Sequence, residues 1–278
     1  RVHILEGLKI ALDNIDEVIN FNDVKKLPSE IKFKIILDKI SHDLEENIDS
    51  LNRLSLSVMI DKYKLDELKN VDGDYRYAIT KEEIDEIYAK EIKNALSYED
   101  KIEIIVSLIY SRYKGYGPVE ELLEMNVDGI NGGVSGWNDD SKDNGVGLDS
   151  IWLIYKGKNI HLKFLTFDSP EELIRVCMNI YKFGSPGELS KADGYKINKM
   201  RDGSRVVVIR PSLCESWCFF IRKFHTKDMS IDSLITQNNK ESMINLLKFI
   251  TKGCNNICVS GQQGSGKTTM LLNLISFI

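Results

Sequence analysis

Eight residues near the end of the chain, Gly261-Gln262-Gln263-Gly264-Ser265-Gly266-Lys267-Thr268, fit the spacing G-x-x-x-x-G-K-[ST]. The context is as demanding as the spacing. Residues 257–260 read as a buried strand before the loop, and residues 269–278 as an apolar helix after it. Strand, glycine-rich loop and helix in that order open a parallel α/β sheet, so this stretch limits the fold of the last forty residues to one class. Each position has a physical task. Gly261, Gly264 and Gly266 admit backbone conformations closed to other residues and bring no side chains, so consecutive amide hydrogens turn inward on an anion. Gln262, Gln263 and Ser265 complete the loop, and the helix begun at Lys267, Thr268 and Thr269 presents its positive end to the same phosphates. Lys267 reaches the β- and γ-phosphates as a mobile charge, and the Thr268 hydroxyl binds magnesium. The implied ligands are ATP and Mg2+.

Phosphoryl transfer to water also needs a second acidic residue for the metal and a group that orients the water. Ten residues, about 15 Å of helix, follow Thr268. The expectation is that these 278 residues alone neither hydrolyse ATP nor bind it tightly. Arg1 at one end and an apolar run stopping at Ile278 at the other read as a piece of a longer chain.

The preceding residues are too many for a small nucleotide kinase, whose phosphate loop opens a compact domain. Period-3.6 seams mark helices at residues 4–19 (Leu5, Leu8, Leu12, Ile15, Ile19), 29–51 (Phe33, Ile36, Ile40, Leu44, Ile48, Leu51), 81–96 and 98–114. Residues 1–114 are therefore expected to be a helical N-terminal region. After a break at Tyr116-Gly117-Pro118 and a short helix at 119–125, residues 129–147, rich in Gly, Asp, Asn and Ser, read as a loop. Strands follow at 151–155 and 160–164 around Lys156-Gly157-Lys158-Asn159, and at 195–200 and 204–209 around Asp202-Gly203. A last strand is expected at 216–222. Between the hairpins, Ser169-Pro170-Glu171-Glu172 is a capping box opening a helix to about residue 183. Residues 115–224 thus read as an α+β domain, 225–239 as a linker, and 240–278 as the beginning of a P-loop domain whose helix at 240–252 is closed by Gly253.

Charge and cysteines remove several alternatives. The formal charge is 37 − 42 = −5, which gives no basic field for a polyanion and argues against nucleic acid as partner. No run of about 18 to 20 apolar residues is present to form a membrane-spanning helix. Five cysteines without a secretory signal do not suggest a disulfide framework. The C-x3-C pairs Cys214/Cys218 and Cys254/Cys258 invite zinc, but on strands their members would stand about 13 Å apart, so they read as small buried hydrophobes.

The segment Gly115-Tyr116-Gly117-Pro118-Val119-Glu120-Glu121-Leu122-Leu123 and the stretch Asp202-Gly203-Ser204-Arg205 complete the picture. With Arg210-Pro211, Phe220-Ile221-Arg222-Lys223-Phe224 and the phosphate loop, they stand in one order. Together they resemble the type II/IV secretion and pilus-assembly ATPases, in particular the CpaF/TadA-like motors of Flp (tight-adherence) pili, over about residues 80–278. The resemblance implies α/β architecture with an α+β N-terminal domain and the start of a RecA-like P-loop ATPase domain. It also implies a homo-hexameric ring, ATP hydrolysis in the full protein, and work at the cytoplasmic face of the inner membrane with pilus or secretion platform proteins. Arg205, Arg210 and Arg222 are the positions that match phosphate-reaching arginines, placed to stabilise charge in transfer. The long loop at 128–147 departs from the family pattern. Residues 3–19 separately resemble a helical segment of the gyrase A and topoisomerase IV A proteins, from which no function is carried over. A DNA-handling ATPase would call for a basic stripe that the acidic balance does not supply. A second reading of the whole is a non-hydrolysing, nucleotide-dependent scaffold.

Overall fold

The computed structural model describes residues 15–43, 54–71, 73–134, 147–223, 231–235, 239–253, 255–261 and 266–278. Expectations for 4–14, 44–51, Cys254 and Gln262 to Ser265 lie outside the described residues. The chain divides into two compact units, Arg1–Phe224 and His225–Ile278.

In the larger unit the order is α1 (Ile15–Val18), α2 (Ser29–Asp43), α3 (Ser55–Tyr63), β1 (Leu68–Val71), β2 (Asp74–Ile79), α4 (Lys81–Glu91), α5 (Tyr98–Tyr113) and α6 (Glu120–Glu124). It continues with β3 (Gly129–Gly132), β4 (Ile151–Tyr155), β5 (Lys158–Leu162), α7 (Pro170–Tyr181), β6 (Tyr195–Lys199), β7 (Arg205–Ile209) and β8 (Cys218–Arg222). The smaller unit holds α8 (Ile231–Leu234), α9 (Lys240–Lys252) and α10 (Lys267–Ile275).

The eight strands form one sheet in the order β1-β2-β5-β4-β3-β8-β7-β6. The described neighbours run antiparallel except β2 and β5, which run parallel through Ala78↔His161 and Ile79↔Leu162. One face of the sheet is core: Ile130, Leu153, Ile160, Val206, Val208, Phe219 and Ile221 are buried with the apolar stripe of α7, Leu173, Val176, Cys177 and Ile180. The same core takes in α2, whose Ile31, Phe33, Ile35, Ile36, Leu37 and Ile40 are all buried. Lys32 is buried with them, and its ammonium is paired to Asp85 at 2.7 Å.

Helix starts are set by side chains that satisfy orphan amides. Thr80 and Glu83 form a full capping box at α4, and Ser97 and Asp100 another at α5. At α7 the Ser169 hydroxyl accepts from Glu172 N, while the Glu172 carboxylate accepts from Asp168 N instead of closing the box on Ser169.

The sheet corrects the reading of residues 1–114 as helical: 68–71 and 74–79 form the β1/β2 hairpin, and this hairpin joins the strands of later residues. The stretch 129–147 also holds a strand, β3, between β4 and β8. Its Gly-Ile-Asn-Gly sequence carries no β signal because the signal lies in its neighbours. A Cβ at Gly129 would stand 2.4 Å from the Ile221 carbonyl oxygen, and one at Gly132 would stand 2.5 Å from the Phe219 ring. The β4/β5 turn has two residues, Lys156 and Gly157, both at positive φ, where four were expected. Left-handed backbone at both positions gives the turn a twist that matches the flanking strands, which suits a two-residue hairpin.

His161 is buried on the far face of the sheet, stacked 4.4 Å from Trp152 at 10°. Its Nε2 is 3.0 Å from the Asp149 carbonyl oxygen, so Nε2 carries the proton, and Nδ1 is buried with no hydrogen-bond partner among the described residues. Burial accordingly lowers the imidazole pKa. A depressed folded pKa means the unfolded chain binds the proton first, so this group removes stability as pH falls below about 6.5 and on through the folded value. Thermal melts at pH 7.5 and 5 are expected to show a larger drop for the native chain than for His161→Phe. Equal drops would assign the pH dependence elsewhere.

Candidate functional site: a helix start and a cationic sheet face

The smaller unit packs α8, α9 and α10 on Ile231, Ile235 and Ile244, with Met243, Leu247, Met270 and Phe277 against them. Gly266 stands at the N-cap of α10 with φ 81°. That left-handed backbone is one glycine adopts freely. Met270 N donates to the Gly266 carbonyl at 2.9 Å, the first helical bond. The amides of Lys267, Thr268 and Thr269 therefore belong to the opening turn, whose donors have no intrahelical acceptors. Lys267 is half-buried and Thr268 exposed at this end. The geometry fits an anion at the helix start and a hydroxyl free to meet a cation beside it.

The residues before the loop do not form the expected strand. Residues 255–261 pair with no strand among the described residues, and Ile257 and Cys258 are exposed rather than buried. A strand acquires its hydrogen bonds from neighbouring strands, and the smaller unit has none among its described residues to offer. The same cause leaves apolar side chains outside: Phe249 is 82% exposed and Leu272 61%.

The three arginines lie in the larger unit, and two of them meet. Register sets Arg205 directly opposite Arg222 on adjacent strands. Their neighbours Val206 and Ile221 are buried in the core, so both arginines project from the opposite, outer face, where they are exposed. Gly129 is opposite Arg222 on the other side, and the Arg222 side chain lies over it, with Cδ 3.5 Å from where a Cβ would be. Arg210 is at the other end of β7, five residues or about 16 Å along the strand. Its guanidinium sits 5.4 Å from the Trp217 ring centre and donates to the Leu189 carbonyl at 3.5 Å, with Nε buried. One phosphate group cannot touch both ends of this strand.

The cysteine geometry is also revised. Cys214 sits in the turn before β8, not on a strand, with its thiol beside that of Cys218. The Cys214 thiol donates to the Ser216 carbonyl at 2.8 Å. Strand spacing therefore does not separate this pair. Burial pushes the Cys218 thiol up to about 12 and raises Cys214 and Cys177 as well, so all three are protonated, poorly nucleophilic thiols at neutral pH. Among the described residues no group of three His, Cys, Asp or Glu side chains is arranged to hold a metal ion.

No protein-family model matches the chain. The gyrase A protein of the DNA gyrase of Clostridium acetobutylicum is 31% identical over 140 residues, 41% of this chain and 17% of that protein. Among solved structures the chain is similar to the VirB11 ATPase from the Brucella suis type IV secretion system, in complex with sulphate. That likeness has 16% identity and a TM-score of 0.28, and covers 62% of this chain and 55% of that one. The chain spans only part of either protein. No helix among the described residues is long and apolar enough to cross a membrane.

Proposed function

We propose that the chain is the nucleotide-engaging part of an ATP-driven motor of the type II/IV secretion and pilus-assembly class, resembling the CpaF/TadA-like branch. The observation that carries the reading is Gly266 at φ 81° opening a helix with Lys267 and Thr268, inside a complete G-x-x-x-x-G-K-[ST] motif. In this reading residues 261–269 hold the phosphates of ATP, Thr268 holds Mg2+, and the protomers assemble as a homo-hexamer. Their place is the cytoplasmic face of the inner membrane, beside pilus or secretion platform proteins. Arg205 and Arg222, adjacent and exposed on one sheet face, supply positive charge to the γ-phosphate. Arg210, engaged with Trp217 and Leu189, serves the loop that carries it.

The test is magnesium-dependent phosphate release by the assembled protein. Arg205→Ala and Arg222→Ala are expected to slow turnover by roughly a hundredfold or more while changing nucleotide affinity far less, as befits arginines that act on developing charge. Arg210→Ala is expected to lower the melting temperature instead. Unchanged turnover removes a residue from the set. Nucleotide binding with no phosphate release in an assembly that carries the second acidic metal ligand and the water-orienting group would favour the non-hydrolysing scaffold.

A further inference from the structure

We propose that Lys199 is a third cation of the Arg205/Arg222 site, so that three adjacent strands present one row of positive charge to a polyphosphate chain. The inference rests on the reading of those arginines as phosphate contacts and extends it to a residue outside the motif.

Register carries the argument. Lys199 is the Cα partner of Arg205 across β6 and β7, and Arg205 is the partner of Arg222 across β7 and β8. Directly opposed residues share a face, so the three side chains leave the outer face side by side, with strands about 4.8 Å apart. The row continues to Gly129, which adds no side chain of its own. Along β6 the burial alternates, with Tyr195, Ile197 and Lys199 exposed and Lys196 and Asn198 turned to the other side. The two lysines of the strand are thereby separated in function. Lys196 is paired with Asp193 and Asn198 bonds the carbonyls of Tyr181 and Phe183, whereas Lys199 is in none of the ion pairs of the described residues. The acid nearest in sequence, Asp202, is occupied by the backbone amide and hydroxyl of Ser204.

Like charges opposed across a sheet destabilise it, and at neighbouring-strand distance the repulsion is felt even through the high effective dielectric of a protein surface. An oxyanion chain laid along the row meets a cation from each of three adjacent strands. The side chains suit the chemistry, since long lysine and arginine stems on neighbouring strands can converge on the oxygens of one tripolyphosphate. A lone lysine on an edge strand otherwise serves only to discourage edge-to-edge pairing, a role that requires charge but no particular face.

The measurement is calorimetric titration of the full chain with sodium tripolyphosphate, made in a Lys267→Ala background so that the phosphate loop does not report. Lys199→Gln is expected to weaken binding roughly five- to tenfold, Lys199→Arg to restore it, and Lys196→Gln, the same charge change on the opposite face, to leave it unchanged. Arg205→Gln and Arg222→Gln are expected to weaken it at least as much, with melting curves confirming that each variant folds. If both arginine variants weaken binding and Lys199→Gln behaves like Lys196→Gln, Lys199 is not in the site and the arginine reading survives. If none of the three outer-face substitutions matters, the row falls, and the arginine reading falls with it only if turnover by Arg205→Ala and Arg222→Ala is also unchanged. Equal weakening by Lys196→Gln and Lys199→Gln would mark a net-charge effect and overturn the row.

Discussion

Gly133→Ala is expected to destabilise the larger unit by about 3 kcal/mol, which for a unit of this size lowers the melting temperature by roughly 6 to 12 °C. Gly133 follows β3 with φ 75°. A Cβ there would stand 2.1 Å from the Trp217 backbone oxygen and 3.1 Å from Leu173 Cδ1. Left-handed backbone costs an L-residue about 1 to 2 kcal/mol. The rest comes from pushing β3 away from the residue that leads into β8, since a backbone carbonyl oxygen next to a strand cannot move aside as a side chain can. Gly133 N also donates to the Ser150 carbonyl at 3.0 Å, a bond that the displacement would stretch. Gly157 is the internal control. It has nearly the same φ, 76°, and nothing within 4 Å of a built Cβ, so Gly157→Ala should cost only the backbone term. Equal losses in a urea or thermal melt would show that the contact with Trp217 is not what makes Gly133 obligatory.

The second large effect concerns the helix start. Lys267→Ala is expected to weaken magnesium-ATP binding by about ten- to a hundredfold. A hydrogen-bonded charge contributes roughly 1.5 to 3 kcal/mol, and each 1.4 kcal/mol is a factor of ten. Lys248→Ala, which removes a lysine of the same unit placed over the Phe277 ring, serves as comparison and should leave affinity unchanged. Thr268→Ala should act differently, reducing the dependence on magnesium more than the affinity for metal-free nucleotide. Fluorescence titration with a labelled nucleotide separates these outcomes. A Lys267→Ala variant that binds as the native chain does would remove the phosphate loop from the proposal.

What was legible in the sequence depended on whether its cause was local. The Ser169 cap, the hairpin around Asp202-Gly203 and the amphipathic α7 are specified by residues within a turn or two of one another and stand where pattern placed them, whereas the β4/β5 hairpin turns two residues more tightly and the box at α7 closes on Asp168. The strand β3 is specified from outside, by the Phe219 ring and the Ile221 carbonyl that only glycine can accommodate, and no propensity records that. The β1/β2 hairpin was hidden by its position among helices, although Asp72-Gly73 offered a turn signal. In the smaller unit, residues 257–260 have the composition of a buried strand and lack partners among the described residues. For the site, the motif named Lys267 and Thr268, and the arginines came from a resemblance. The separation of Arg210 from Arg205 needed only the length of one strand, and Lys199 needed only the hairpin register around Asp202-Gly203. Both were within reach of the sequence once β6 and β7 were paired.

The single parallel seam in the sheet has a consequence for how the larger unit is put together in time. Every antiparallel junction within a hairpin joins residues close in sequence and can zip within microseconds. The β2/β5 junction instead joins Ile79 to Leu162, roughly eighty residues away, through a register of only two residue pairs. The β3/β8 junction closes a loop of similar length but gains four residue pairs for it, so β2/β5 gives the smaller return for its closure entropy, which places it late in assembly and early in partial opening. The β1/β2 hairpin is therefore expected to join the sheet last, and the outer face that carries the arginines can form without it.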